Sequence, residues 1–293
     1  MNDTFTDLTA STPFHVKHWP RAIVHPIEHD GGERLSLMWD LGVVDEKVKK
    51  QAINEWCLAL PDLRQVRWLK VWSLVTPALF EALCRMPNLE CLQIKMSNVS
   101  DIGAIANLKQ LRYLHIGSST KVQSIEPLAA LSQLRLLELE NFKLVSDFSP
   151  LLALEKLESL AVTGSLWTKQ TVESLDPFVR MTGLTSLSVD TSGVPSLKPF
   201  AQMVSLKELG IGGCMPMHEY AWLSAKLPNT ECRWFRPYLD LATAGIGRCP
   251  TCANDSMVMI TGKGGPSLCK ICDSAKVQRH EEVFYLVQKN ARN

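Results

Sequence analysis

The sequence has no apolar run long enough to cross a bilayer and no strong excess of charge of either sign. The first absence excludes a membrane-spanning helix, which needs about 18 consecutive apolar residues. The second, 31 basic against 30 acidic residues, removes the long-range pull that a strongly basic protein exerts on nucleic acid or anionic lipid. A third absence concerns the start of the chain. Met1 to Ser11 is polar, without a basic stretch leading into an apolar one, so it does not read as an export signal. The expectation is a cytoplasmic protein with no membrane role. Catalytic patterns are missing too. No Ser/His/Asp set or carboxylate pair declares itself. His15-x2-His18 and His25-x3-His29 lack the helical frame of a metallohydrolase motif. Gly262-Lys263-Gly264-Gly265 lacks phosphate-loop spacing, and Gly210-Ile211-Gly212-Gly213 lacks the strand-then-helix setting of a dinucleotide fingerprint.

What is present is a repeat. The pattern L-x-x-L-x-L recurs as Val66-Leu69-Val71, Leu89-Leu92-Ile94, Leu111-Leu114-Ile116, Leu134-Leu137-Leu139, Leu157-Leu160-Val162, Leu184-Leu187-Val189 and Leu206-Leu209-Ile211. Successive starts lie 23, 22, 23, 23, 27 and 22 residues apart, within the range of leucine-rich repeats. A second pattern, Val-x-Ser/Asp-apolar-x-Pro-apolar, fills the return half of each unit. Its copies begin at Val122, Val145, Val172 and Val194, and the one at Val99 lacks the proline. Ser or Asp there caps the free N–H groups of a short helix, and proline is tolerated in a first turn.

These two registered patterns resemble the bacterial leucine-rich-repeat proteins of the internalin type. The resemblance covers roughly residues 66–235. It implies a curved parallel sheet with short helices on the convex side, and a role in protein recognition. The family's Asn after the strand is replaced here by Ser97, Ser119, Phe142, Ser165, Ser192 and Cys214. Phe142 cannot bond the neighbouring turn as Asn does, so an irregular turn is expected there. The 27-residue unit carries an insertion around 166–171, expected as a longer convex element.

A solenoid must cap its ends. Residues 33–65 read as a strand, Arg34 to Trp39, and a helix, Asp45 to Leu60, forming the N-terminal cap. The solenoid runs over 66–237, with a degenerate last strand at Thr230, Cys232 and Trp234. Residues 1–32, rich in Pro and Gly, read as an irregular arm laid over the cap. Residues 238–293 hold Cys249-x2-Cys252 and Cys269-x2-Cys272, 16 residues apart. That spacing points to one structural Zn²⁺ in a zinc-ribbon-like module, four thiolates leaving no coordination position open for chemistry. Val283 to Val287 in the tail fits a closing strand or a short helix. The other five cysteines, Cys57, Cys84, Cys91, Cys214 and Cys232, read as reduced, core-lining thiols.

If the leucines face inward, the residues between them face the concave side. That gives candidate partner-binding residues Trp68, Lys70 and Trp72, then Gln93 and Lys95, Tyr113 and His115, Glu138 and Glu140, with Trp234 and Arg236 on the last strand. Trp, Tyr and Arg most often carry interface energy. The alternative is that these aromatics pack against one another or against the N-terminal arm. The function expected is non-enzymatic: a protein partner held on the concave face, as an immunity or antitoxin-like inhibitor of a toxin or as a regulatory adaptor, the chain being a monomer without its partner. The alternative is a nucleic-acid or ribosome-associated role for the zinc module through Arg248, Lys263, Lys270, Lys276 and Arg279, which Asp255, Asp273, Glu281 and Glu282 offset.

Overall fold

The leucines of successive repeats stack in register and so set the sheet. In the computed structural model, which describes residues 13–39, 45–165, 167–191 and 194–292, eight parallel strands follow one another in sequence order. They are β1 (Arg34–Leu37), β2 (Trp68–Val75), β3 (Cys91–Ser97), β4 (Tyr113–Ile116), β5 (Leu136–Glu140), β6 (Ser159–Thr163), β7 (Ser186–Val189) and β8 (Glu208–Ile211). Leu35, Leu69, Leu92, Leu114, Leu137, Leu160, Leu187 and Leu209 are mutual register partners across the whole sheet. All are buried, in one core cluster that runs the length of the solenoid. The sheet with its short return helices is a leucine-rich-repeat solenoid.

The return segments behave as their chemistry dictates. Each capping side chain accepts a hydrogen bond from the backbone N–H two residues on: Asp101 from Gly103 at 2.7 Å, Ser124 from Glu126 at 3.2 Å, Asp147 from Ser149 at 2.8 Å, Ser174 from Asp176 at 3.0 Å and Ser196 from Lys198 at 3.1 Å. Short 3-10 helices or one α-helical turn follow, with proline in the first turn at Pro127, Pro150, Pro177 and Pro199. Proline lacks the N–H that would have no partner there.

At the N-terminal end, β1 leads to helix α1 (Glu46–Ala59), capped by Asp45, whose carboxylate accepts from Lys47 N at 3.0 Å. Trp56 of α1 is wholly buried and donates from its indole to Val24 O at 2.8 Å. Helix α2 (Pro77–Leu83) follows β2, α3 (Asp176–Arg180) lies between β6 and β7, and α4 (Met217–Lys226) follows β8.

The turn after β5 is held by a residue from the next repeat. Gln170, 2% exposed, accepts from Phe142 N at 3.1 Å and donates to Phe142 O at 3.0 Å and Val145 O at 2.7 Å. Its amide does the work of the missing Asn. Asn141 takes the left-handed backbone (φ 63°) at this turn, which Asn tolerates well. Elsewhere Ser97 and Ser119 bond each other at 2.8 Å, and the Cys214 thiol donates to Thr191 O at 3.1 Å. Ser192 lies outside the described residues.

The insertion is not a longer convex element. α3 is no longer than the other return helices. The extra residues form a loop at the carboxyl end of β6, closed by Ser165 N to Thr168 O at 2.7 Å and joined to the next repeat through Gln170 N to Asp190 O at 3.0 Å. Leu166 lies outside the described residues, as does the stretch Met1 to Ser11.

The degenerate last strand reduces to one bridge, Glu208 with Glu231. The C-terminal module then packs on the solenoid's end. Strands β9 (Tyr238–Asp240), β10 (Met257–Ile260) and β11 (Ser267–Cys269) form an antiparallel sheet in the order β11-β10-β9. The tail is neither a strand nor a short helix but a 19-residue helix, α5 (Ser274–Arg292). It lies against α4, with Phe284 fully buried and Gln288 donating to Ser224 Oγ at 2.9 Å.

Candidate protein-binding face and metal centre

Alternation along β2 to β5 places one set of side chains on the concave surface. Trp68 and Tyr113 meet with ring centroids 6.1 Å apart. Lys70 sits with its ammonium 3.7 Å from the Trp72 ring centroid, and the Trp72 indole donates to Ser36 Oγ at 3.2 Å. Lys70 is only 3% exposed. Burial, with Lys95 adding repulsion, lowers its ammonium from the ordinary lysine range to about 8. The Cys91 thiol beside them is buried, which pushes its ionisation well up. His115 Nδ1 lies 2.7 Å from Glu138 Oε2. Gln93, Glu138 and Glu140 are half-buried, and Lys95 is exposed. The structure thus gathers the residues from Trp68 to Glu140 into one aromatic, then cationic, then acidic track.

Trp234 does not join them. It is 8% exposed, packs with its ring centroid 5.9 Å from that of Tyr220, and lies so close over Gly213 that a Cβ there would sit 2.7 Å from the indole. The reason is local. The sheet ends at Glu231, and Phe235 N turns back to Cys232 O at 3.1 Å. Strand alternation therefore no longer decides which way Trp234 points. Arg236 is exposed, but its carbonyl accepts from Thr261 Oγ1 at 2.6 Å, which ties this stretch to the C-terminal module. Both residues leave the concave track.

The N-terminal arm lies on the track as well as over the cap. Residues 23–25 cover the cap: Ile23 pairs with Leu37, and His25 Nδ1 meets Glu55 Oε2 at 2.7 Å. Further upstream the chain crosses the concave face. Phe14 is 7% exposed and lies edge-on to His115 at 5.6 Å between centroids. Trp19 and His18 lie 5.9 Å and 6.4 Å from Trp68, and Arg34 sits 4.5 Å above the same ring. Burying a Phe side chain contributes about 2 kcal/mol, so Phe14 is the arm's main apolar anchor. Sequence reasoning did not place Phe14, His18, Trp19 or Arg34 in the site. The readable signal was the clustering of Phe14, His15, His18 and Trp19 in an otherwise irregular segment.

The four paired cysteines converge. The sulfurs of Cys249, Cys252, Cys269 and Cys272 all lie within 4.8 Å of one another, with Cys249–Cys272 at 4.0 Å and Cys252–Cys269 at 3.7 Å. A tetrahedron with metal–sulfur bonds of 2.3 Å has edges of ~3.8 Å, so the cluster has the size of a four-thiolate zinc site. The turn after β9 supplies the first pair. The second pair spans the end of β11 and the turn into α5. The Cys269 thiol is lowered to about 6 by the Cys272 backbone N–H and the Ser256 hydroxyl, whereas Cys272 is pushed up to about 12 by the sulfurs of Cys252 and Cys269. Four adjacent thiols cannot all ionise without a cation among them, a charge that a divalent metal held by these four cysteines would supply.

Two of the module's cations are already spoken for. Lys270 pairs with Asp240 at 2.9 Å and Lys276 with Asp273 at 2.8 Å. No helix among the described residues is long and apolar enough to cross a membrane.

No protein-family model and no curated protein matches the chain. Solved structures do. An internalin C2 from Listeria monocytogenes is 22% identical, with 58% of this chain and 70% of that one covered, at a TM-score of 0.44. A leucine-rich-repeat protein of Leptospira interrogans is 15% identical, with 68% of this chain and 47% of that one covered, at 0.47. The plant peptide hormone receptor RGFR1, in complex with RGF2, is 16% identical over 52% of this chain and 25% of its own, at 0.36. The chain is similar to these proteins in its repeat fold.

Proposed function

From a leucine-rich-repeat solenoid whose concave track is aromatic at one end and acidic at the other, we propose a non-enzymatic protein-binding module that holds a partner protein on the stretch from Trp68 to Glu140. One observation carries this reading. Eight parallel strands in sequence order, with their inward leucines in register, present one continuous surface, and its N-terminal half holds Trp68, Trp72 and Tyr113 with Lys95 and Glu138. Side chains of that kind carry most interface energy. The biological role we assign is inhibition of a toxin in the manner of an immunity protein, with a regulatory adaptor as the second form of the same binding activity. The compartment we assign is the cytoplasm, because a four-thiolate site needs reduced cysteines. The metal is one structural zinc that fastens the C-terminal module. A nucleic-acid role for that module is the weaker reading, since Lys270 and Lys276 are held by carboxylates.

The test is capture of the partner by immobilised protein, with bound proteins identified by mass spectrometry. The variant Trp72→Ala/Glu138→Lys/Glu140→Lys keeps its far-ultraviolet circular dichroism and loses the partner that the wild type retains. Equal capture by wild type and variant overturns the concave-face reading.

A further inference from the structure

The arm from Pro13 to Trp19 fits the face beneath it by its rings and misfits it in two other respects. Its attachment comes first. The arm's backbone hydrogen bonds are internal, His18 N to His15 O at 3.0 Å and Trp19 N to Val16 O at 3.1 Å. Among the described residues, one hydrogen bond ties it to the solenoid, from Arg34 to His18 O at 2.6 Å. Past Pro20, which has no N–H to give, the chain is fastened differently. Ile23 N bonds Ser36 O at 2.9 Å, and Met38 N bonds Ile23 O at 3.1 Å. Lifting the arm therefore breaks no sheet bond and leaves the cap in place. Phe14, although buried, lies outside the main core cluster.

Charge is the first misfit. The arm brings the half-buried His15 and His18, with the exposed Lys17 between them, over a floor that holds Arg34, Lys70 and Lys95. Burial, then Lys17, Arg34 and His15, hold the His18 imidazole below its ordinary range. Among the described residues, neither Lys70 nor Lys95 has a carboxylate in ion-pair contact. The second misfit is hydrogen bonding. Gln93 Oε1 and His115 Nε2 on the floor, and Trp19 Nε1 on the arm, are buried without a partner. Buried polar atoms are normally satisfied, and leaving them unpaired destabilises the contact. A better occupant would keep an aromatic ring against His115, bring carboxylates to Lys70 and Lys95, and offer an N–H to Gln93.

We infer that the arm is a displaceable cover, and that the partner replaces it with an extended acidic segment carrying an aromatic side chain in the place of Phe14. This rests on the concave-face reading above. The exchange breaks the ring contacts of Phe14 and Trp19 and leaves the bonds from Ile23 onward intact.

The test uses the full chain as wild type, Phe14→Ala and Phe14→Ala/Trp19→Ala. The probe is a fluorescein-labelled peptide of Asp, Ser and Gly with one central Phe. About ten residues suffice to cross strands spaced ~4.8 Å apart. Anisotropy reads its affinity, and trypsin cleavage after Lys17 reads the arm. Removing a competing occupant raises apparent affinity by the inverse of the uncovered fraction, here about tenfold or more over wild type. Saturating peptide speeds cleavage after Lys17 in the wild type, and a peptide with Lys in place of Asp, read by anisotropy alone because trypsin would cut it, does not bind. Equal affinity for wild type and both variants overturns the cover, and the concave-face reading still stands if Trp72→Ala abolishes that binding. Failure of the acidic peptide to bind any form, or equal binding of the Lys peptide, overturns the partner chemistry. Binding that is indifferent to both Trp72→Ala and Lys95→Glu places the peptide elsewhere and counts against the concave reading itself. Should the double variant fail to fold, Phe14→Ala and the cleavage rate decide alone.

Discussion

Gln170 shows how one side chain supplies what a repeat lacks. Its amide bonds both backbone groups of Phe142 and the carbonyl of Val145, all in buried surroundings. Truncation leaves those backbone groups without partners, and each orphaned group costs about 1–3 kcal/mol. Gln170→Ala therefore lowers stability by about 3 kcal/mol, read as a shift in the denaturant midpoint with little change in slope. Gln170→Asn, one methylene shorter, recovers little of it because the amide no longer reaches. A change below about 0.5 kcal/mol, the level of an ordinary surface substitution, contradicts the assignment. Phe142 revealed in the sequence that a bond was missing. It could not reveal its replacement, because the replacing residue is 28 positions away in a loop with no period. Phe14 was hidden for the same reason, its partner His115 lying 101 residues on. The inward leucines and the capping Ser and Asp residues were readable because each depends on neighbours a few positions away.

At the scale of elements, the C-terminal module carries its own requirement. Its separate core consists of Val258, Ile260 and Val277, with Tyr238 and Leu268 packed against it. So small a core does not hold three strands and the start of a long helix unaided, and modules of this size are commonly completed by a metal. Elemental analysis is expected to give about one zinc per chain, the stoichiometry of a four-thiolate site. Cys249→Ser/Cys252→Ser removes it. Hydrogen exchange then rises over β9 to β11 and the first turns of α5, while β2 to β7 stay protected. A wild-type protein that holds no zinc and keeps full protection in the module contradicts this. The cysteine spacing made the ligands legible. It did not reveal that the second pair leads directly into a 19-residue helix, because the run from Val283 to Val287 satisfies both strand and helix periods. Phe284 settles the matter in three dimensions, buried where α5 lies against α4. Trp234 misled for a related reason. Alternation is a property of a strand, and the strand ends at Glu231.

On the scale of the whole molecule, the two ends of the solenoid are closed in different ways. Helix α1 and the stretch around Ile23 close one, and the cysteine module with α4 and α5 closes the other. Between them lies a sheet whose outward side is uneven: ringed and cationic toward β2, acidic at β5, and lined with small residues such as Ser159, Ala161, Ser188 and Gly210 beyond. The repeat period made this surface predictable as a surface. Which part is open was not predictable, because that depends on where an irregular arm comes to rest. The proposed binding at the ringed and acidic part is tested most directly by hydrogen-exchange mapping of the protein with and without its captured partner. It predicts that protection on binding concentrates in peptides spanning Trp68 to Glu140, with residues 13–19 losing protection as the arm leaves. Protection confined to the convex return helices or to residues 238–292 would contradict it.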